Sequence, residues 1–419
     1  MVSDVVHLPF GDLTENFDAM RLPVKQSQRR RGPYPYYGAS GVVDHVDRYI
    51  FDGEYLLVAE DGENLRTRNT PIAFLARGKF WVNNHAHIVR GSGAADTRYL
   101  MYALLASDVR GYLTGSTMPK LTQANLNRLP VPAPPLPVQR AIAHILGTLD
   151  DKIDLNRRMA ETLESIARAI FKSWFVDFDP VRANAEGRDT GLPKDIAELF
   201  PDRLVESAIG AVPEGWGVGP VLAHAALMSG GTPKTDQPDY WSGPIDWASA
   251  KDVSLADSSF LVGTQRTITE RGLAESATQL IPALATVVIA RGATTGRMVI
   301  LGREMAMNQT CYALKSTVGA PFALFHQLLS MVAGFVQAAH GSVFDTITTR
   351  TFEGSLAVLP PDALQRRFDA VVSPLMLRSL SCVEESRTLA TLRDTLLPKL
   401  ISGELRVPEA MLQVEEATA

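Results

Sequence analysis

Pro134-Pro135-Leu136-Pro137-Val138-Gln139-Arg140 closes one folded stretch and opens a long helical pattern, and the chain repeats the move at Pro360-Pro361-Asp362-Ala363-Leu364-Gln365-Arg366. The offset is 226 residues (360 against 134, 365 against 139). It holds upstream as well, where Gly115-Ser116-Thr117-Met118-Pro119-Lys120-Leu121-Thr122 matches Gly341-Ser342-Val343-Phe344-Asp345-Thr346-Ile347-Thr348. A chain built from two halves in one order presents two similar surfaces related by a pseudo-two-fold. A partner that is itself two-fold suits such a chain, and duplex DNA is the obvious candidate.

Behind each proline pair runs an apolar seam. Ile142, Leu146, Leu149, Ile153, Asn156, Ala160, Leu163, Ala167, Ile170 and Trp174 alternate at steps of four and three, a heptad pattern with one polar Asn156 to fix register. The spacing predicts a helix from about Val138 to Trp174, roughly 55 Å long. The second seam carries Phe368, Val372, Leu375, Leu389, Leu396 and Leu400, weakened by Ser379, Cys382, Ser386 and Arg393. Pro374 is expected to kink or interrupt it. Two long seams separated by a folded segment most simply pair antiparallel; otherwise each packs on its own globular neighbour.

The globular parts read as mixed α/β. Tyr55–Ala59, Pro71–Ala76 and Phe80–Val82 are strand-like in the first, broken by Gly and Asn turns. Ala285–Ala290, Met298–Leu301 and Thr310–Leu314 are strand-like in the second, which opens at Pro213-Glu214-Gly215-Trp216. The expected divisions are 1–135 and 213–361 for the globular segments, 136–176 and 362–405 for the helices, 177–212 for a linker and 406–419 for a tail.

At 419 residues the chain exceeds one ordinary core. Its 46% hydrophobic and 21% charged content is that of a water-soluble protein, with no run able to span a bilayer and no signal peptide at Met1-Val2-Ser3-Asp4. Two cysteines, Cys311 and Cys382, are too few for a disulfide framework or structural zinc, so the cytoplasm is the expected compartment. A net charge of −5, from 41 Lys+Arg against 46 Asp+Glu, argues against a nonspecific polycation. It leaves room for local basic patches that grip DNA.

Pro134 to Ile142, Asp150-Asp151-Lys152-Ile153-Asp154-Leu155-Asn156-Arg157-Arg158 and Phe171-Lys172-Ser173-Trp174-Phe175-Val176-Asp177-Phe178-Asp179-Pro180-Val181 together resemble the central region of type I restriction-modification specificity subunits. Pro35–Gly41, Asp52–Leu57, Glu60-Asp61-Gly62, Trp81–His87, Gly230-Gly231-Thr232-Pro233, Lys251-Asp252-Val253, Ala306–Thr310 and Leu397–Leu405 extend the resemblance over nearly the whole chain. Two departures are Val138, where the family commonly has Glu, and Asp362-Ala363 in place of Leu136-Pro137. The resemblance implies an α/β (α+β) fold with two similar target-recognition domains separated by two long antiparallel coiled-coil helices. It implies that each domain reads one half of a bipartite site in double-stranded DNA. It further implies two methyltransferase subunits docked on the helices and motor-nuclease subunits joining them. S-adenosylmethionine, ATP and Mg2+ then belong to those partners, and this chain carries no cofactor, no metal and no catalytic residue.

The residues agree with a non-catalytic reading. There is no Asn/Asp-Pro-Pro-Tyr/Phe motif for a flipped adenine and no Gly-x-x-x-x-Gly-Lys-Ser/Thr loop; Gly292-Ala293-Thr294-Thr295-Gly296 reads as a turn. His85 and His87 have strand spacing for a metal but no third ligand, and Glu60-Asp61 reads as a turn rather than a nuclease pair. The alternative to DNA recognition is a non-enzymatic helical adaptor that binds protein. Such an adaptor has no need of basic loops. Those loops supply the candidates for DNA contact: Arg29, Arg30, Arg31, Tyr34, Tyr36, Tyr37 and Ser40, in one loop-like stretch, with Lys120 and Thr122 on phosphates. The second segment offers Thr232, Lys234, Lys251, Arg291, Thr294, Thr295 and Arg297. Asn83-Asn84 and Asn308-Gln309 occupy matching places and are expected to be scaffold, since positions that specify different bases should differ.

Overall fold

In the computed structural model, which describes residues 6–340 and 346–418, the two long helices span Leu136–Phe175 and Asp362–Ser402. The distal Gly341 to Asp345 of the repeat lies outside the described residues. The chain divides into two compact units, one running to Ile153 and resuming at Thr388, the other running from Asp154 to Arg387. Each unit therefore takes part of both helices. No helix among the described residues is long and apolar enough to cross a membrane.

In the first unit, Ile142, Leu146 and Leu149 share one buried cluster with Leu389, Leu396 and Leu400. Arg393 donates to Asp150 at 2.7 Å across the same seam. In the second unit Asn156 donates to Glu385 at 2.9 Å, Met159 Sδ lies 3.6 Å from Cys382 Sγ, and Ser379 donates to Glu164 at 2.7 Å. Phe171 and Trp174 set their rings 5.6 and 5.8 Å from that of Phe368. Partner numbers fall as those of the first helix rise, which is antiparallel pairing.

Past Asn156 the register departs from the strict heptad. Glu164 and Phe171 are buried where Leu163 and Ile170 were expected, and those two are only half-buried, as is Ile153. On the second helix Met376, fully buried, replaces the half-buried Leu375. A straight helix of 3.6 residues per turn drifts about 20° per heptad from a 3.5 repeat, so without supercoiling the contact line moves to the next residue. Pro374 does not interrupt the second helix: it sits on the exposed side, between buried Val372 and Met376. Burial of those flanking side chains offsets the hydrogen bond that proline cannot donate.

The first unit carries a six-stranded sheet in the order Thr14–Asn16, Ala86–Gly91, Phe51–Ala59, Ala73–Val82, Tyr34–Gly38, Gly41–Val46. Alternation along Phe51–Ala59 sends Leu56 and Val58 to the core beneath helix Thr97–Ala106, and Leu57 to a second cluster with Phe51, Phe80 and Ile88. Two readings change here. Of the expected Pro71–Ala76, the part from Ala73 on forms one strand with Phe80–Val82, Ala73–Val82, with Gly78 at φ +72° facing Gly53 at φ +134° in register. Tyr34–Gly38 is a strand rather than a loop, paired parallel to Ala73–Val82 through Tyr36 and Trp81.

The second unit has a five-stranded sheet, Ala225–Ser229, Cys311–Ser316, Thr286–Ile289, Met298–Leu301, Phe260–Leu261. A four-stranded sheet, Thr267–Ile268, Trp241–Ala248, Met305–Met307, Leu280–Ile281, accompanies it. Its parallel pair joins Trp247 to Ala306 and Ala248 to Met307, as Tyr36 joins Trp81 and Tyr37 joins Val82 in the first unit. Matching contacts recur throughout. Asn83 N donates to Tyr37 O, and Asn308 N to Ala248 O; Leu121 N donates to Glu60 O, and Ile347 N to Ala290 O. Gln139 and Gln365, both buried, donate to Pro134 O at 2.8 Å and Pro360 O at 2.9 Å.

Residues 177–212 are not a plain linker. Phe178, Val181, Ile196 and Phe200 are buried with Trp174 and Trp216, and helix Asp179–Ala185 lies among them. The expected tail contains helix Val407–Thr418, which buries Ala410 and Val414. Aromatic and aliphatic residues among the Asp, Arg, Gly and Pro supply enough burial to fold both stretches.

Glu164 accepts from Ser379 and from the Ser259 hydroxyl at 2.6 Å, joining the seam to the bend before strand Phe260–Leu261. Glu164→Ala should strip both hydroxyls of their acceptor and lower stability by about 1–3 kcal/mol. The expected reading is a lower urea midpoint with unchanged slope. An unchanged midpoint would show that the triad adds nothing.

Two buried groups of the second unit give opposing pH dependences. Burial, aided by the charge of Arg168, pushes His326 down to about 4. Burial lifts the Asp369 carboxyl to about 6 against hydrogen bonds from Ala323 N and Phe322 N. Between about pH 4 and 6.5 the unfolded chain binds the histidine proton that the fold refuses, so His326 costs stability as pH falls. Between about pH 4 and 6 the fold holds the Asp369 proton more tightly, so that group adds stability on acidification. His326→Phe should therefore raise stability at pH 5 relative to pH 7, and Asp369→Asn should lower it, measured by denaturant titration at both.

Candidate nucleic-acid interface

In the second unit Gly230 and Gly231 press the chain against the backbone of the neighbouring strand. Gly231 N donates to Met307 O at 2.9 Å, and a Cβ on Gly230 would fall 2.3 Å from Asn308 O. That approach needs glycine. The following residues lie over two tryptophans: Trp247 Nε1 donates to Gly231 O and Trp241 Nε1 to Lys234 O, both at 3.0 Å. Thr232 donates to Gln309 at their side. Over Trp241, 3.4 Å from the ring centre, lies the guanidinium of Arg266.

The same face continues through Asp252. Its Oδ2 closes the capping box of helix Ala250–Leu255 with Ser249, and its Oδ1 accepts from Gln265 N at 2.8 Å. Lys251, on the first turn of that helix, stands beside this contact. Thr294 meets Ser254, and Thr295 folds back on Gly292 O at 2.8 Å. The Thr232–Lys234 loop is thus linked through Trp241, Arg266 and Gln265 to the start of the helix that carries Lys251, and Thr294 to the same helix at Ser254; Arg291 and Thr295 lie in the turn that holds Thr294. Lys234, Lys251 and Arg291 are exposed and form no ion pair among the described residues. Arg297 differs. It donates to Val253 O at 3.1 Å and to Ala256 O, closing the C-terminal end of helix Ala250–Leu255.

The first unit arranges its candidates unevenly. Arg29 stacks on Tyr36 at 4.4 Å and pairs with Asp44 at 3.1 Å, while the Tyr36 hydroxyl accepts from Val24 N at 3.0 Å. Tyr36 is core. Tyr37 packs between Phe74 and Phe80, where burial pushes its phenol up. Tyr34 packs on Tyr49, and Ser40 is exposed in the turn before Gly41–Val46. Arg30 and Arg31 remain exposed without an ion pair among the described residues. Thr122 caps helix Gln123–Arg128 through Asn125 N.

Lys120 enters a network that sequence reading missed. It pairs with Glu60 at 3.0 Å; Glu60 also takes Arg21 at 2.5 Å. Burial drives the Glu60 carboxyl upward, but hydrogen bonds from Arg21 and Lys120 and the charge of His87 outweigh it and leave it below the usual carboxylate range. His87 is buried with Nδ1 2.5 Å from Asp18 and Nε2 2.7 Å from Leu121 O; His85 pairs with Asp61 at 2.8 Å. The two histidines therefore belong to separate carboxylate pairs, and the described residues contain no group of three metal-ligating side chains. Arg21, Asp18 and Lys120 are remote in sequence from Glu60, so no local spacing signalled the cluster. Arg266 was missed for a related reason: only the pairing of Thr267–Ile268 with Trp241–Ala248 sets it against the tryptophans.

Framework positions match between units, whereas loop side chains do not. Gly62 and Gly292 open matching turns at φ +115° and +111°, preceded by Asp61 in one and Arg291 in the other. Opposite Tyr36 across the strand pair lies Asp44; opposite Trp247, whose N–H donates to Arg266 O, lies Arg266. The charges are reversed at both places.

Residues 3–165 match the family model described as the type I restriction modification DNA specificity domain. A Haemophilus influenzae protein named as a provisional type I restriction enzyme specificity subunit is 40% identical over 147 residues, covering 35% of this chain and 38% of that relative. The HindI specificity subunit of the same organism is 25% identical, and the match covers 84% of each chain. Among solved structures, the S subunit of a type I restriction-modification system from M. genitalium shares the fold at a TM-score of 0.62 and 13% identity, over 94% of this chain and 96% of that one.

Arg297→Ala should lower stability by about 0.5–1.5 kcal/mol, since the carbonyls of Val253 and Ala256 at the helix end lose their donor. Lys234→Ala, on an exposed loop, should change it by less than about 0.5 kcal/mol. Equal unfolding midpoints for the two variants would contradict the division between tied and free cations.

Proposed function

We propose that this chain is a specificity subunit of a type I restriction-modification system, that it reads a bipartite site in double-stranded DNA, one half with each globular segment, and that it contributes no catalytic group. One observation carries the reading. The framework contacts at Asn83 and Asn308, Gln139 and Gln365, Gly62 and Gly292 are duplicated, while the side chains beside that framework differ in charge, Asp61 against Arg291 and Asp44 against Arg266. Duplication of the scaffold with divergence of the loops is what two readers of different sequences require.

The seam is the surface on which partner subunits are positioned. Two methyltransferase subunits bind there and bring S-adenosylmethionine; motor-nuclease subunits bring ATP and Mg2+. Lys234, Lys251, Arg30 and Arg31 are the phosphate contacts of this reading, and Arg291 is the exposed loop cation nearest a base-reading role.

The test is a domain exchange. Residues 213–361, bounded by Pro213 and Pro361, replaced by the equivalent segment of a relative, should change one half of the methylated sequence in cells carrying the complete system. The other half should stay as it was. If both halves changed together, the two segments would read DNA as a single surface and the modular reading would fail.

A further inference from the structure

We propose that Arg266 is a base-reading residue of the second globular segment, presenting its guanidinium edge to the O6 and N7 of a guanine in the major groove. The inference rests on the DNA-recognition reading above and goes beyond it by assigning one side chain to one base.

Three observations carry it. First, the guanidinium is held in place: it lies 3.4 Å over the Trp241 ring and 5.7 Å from that of Trp247. Both rings are fixed, edge to face at 5.2 Å, each with its indole N–H bonded to the Gly231–Lys234 loop. Stacking limits the rotamers of a long side chain and so lowers the entropy lost on binding. Second, Arg266 is exposed, and its guanidinium donates to no carboxylate or carbonyl among the described residues. Arg297, by contrast, is bonded to Val253 O and Ala256 O, and Arg29 to Asp44. A planar fork held by its face and free along its edge suits the paired acceptors of guanine better than the diffuse charge of a phosphate. Third, the matching place opposite Tyr36 in the first unit is Asp44, which accepts from Arg29. A position that changes from acid to base on a duplicated framework is where two domains that read different bases should differ.

The variants Arg266→Ala and Arg266→Lys are compared with the unsubstituted chain in the complete system. Methylation motifs are read in cells, and binding by the assembled methyltransferase is measured at two salt concentrations. The half-site belonging to residues 213–361 is identified by the domain exchange. Both variants are expected to relax one guanine position in that half-site, lowering discrimination there by about 10- to 100-fold and leaving the other half intact. The salt slope should stay unchanged in Arg266→Lys, which keeps the charge but loses the fork.

Several results overturn the assignment. If Arg266→Lys restores full discrimination, or Arg266→Ala weakens all sequences alike with a smaller salt slope, the residue contacts phosphate. If the motif is unchanged, or the half-site contains no guanine, it reads nothing. Unfolding of both variants would make Arg266 a fold element. An unsubstituted system that methylates no bipartite motif would instead sink the DNA-recognition reading itself, before any variant is compared.

Discussion

The antiparallel seam places its polar groups where one register alone satisfies them. Asn156 meets Glu385, Glu164 meets Ser379, and Asp150 meets Arg393. Shifting one helix by a turn would part all three pairs and leave the fully buried Asn156 amide and Ser379 hydroxyl without these partners, at a cost of about 1–3 kcal/mol each. The apolar residues between them supply the burial, and a greasy surface alone tolerates sliding. The polar insertions convert an apolar stripe into a fixed alignment of two segments more than 200 residues apart in sequence.

From that alignment the globular parts inherit their boundaries. Short antiparallel ribbons, His7–Pro9 with Pro130–Pro132 and Gly217–Pro220 with Leu356–Leu359, lead into the helices in each unit. Prolines suit these edge positions because they cannot donate to a further strand. Beyond the ribbons the sheets place loops on a rigid frame, and the loops carry the charges on which the functional reading depends.

Most of this architecture could be read from the sequence because it is periodic or repeated. The 226-residue offset located both helices and their proline joints, and the matching of Asn83 with Asn308 suggested scaffold, which the shared strand contacts explain. What escaped depends on long-range contact. The move from Leu163 to Glu164 follows from helical drift that a heptad template ignores. Tyr36 among arginines read equally well as a DNA contact or as core, and only its place under Arg29, with its hydroxyl on Val24 N, puts it in the core. The Arg21–Glu60–Lys120 cluster and the Arg266–Trp241 stack join residues whose spacing carries no pattern. Side chains on basic loops were legible as charges; which of them the fold itself binds was not.

The glutamine joints have an evolutionary consequence. Gln139 contacts Ala94 O, Pro134 O and Asp96 N, all backbone atoms, and Gln365 contacts Pro360 O with one side chain, His224. A joint that grips peptide groups is blind to the side chains it holds. Genes encoding such a chain can therefore exchange whole segments at the proline borders and keep the bonds to Pro134 O and Pro360 O. Glu164 with Ser259 is different, because a hydroxyl on the incoming segment must be present to meet it. Recombination is thus filtered wherever a side chain of the segment is read, at Ser259 by Glu164 and at His224 by Gln365.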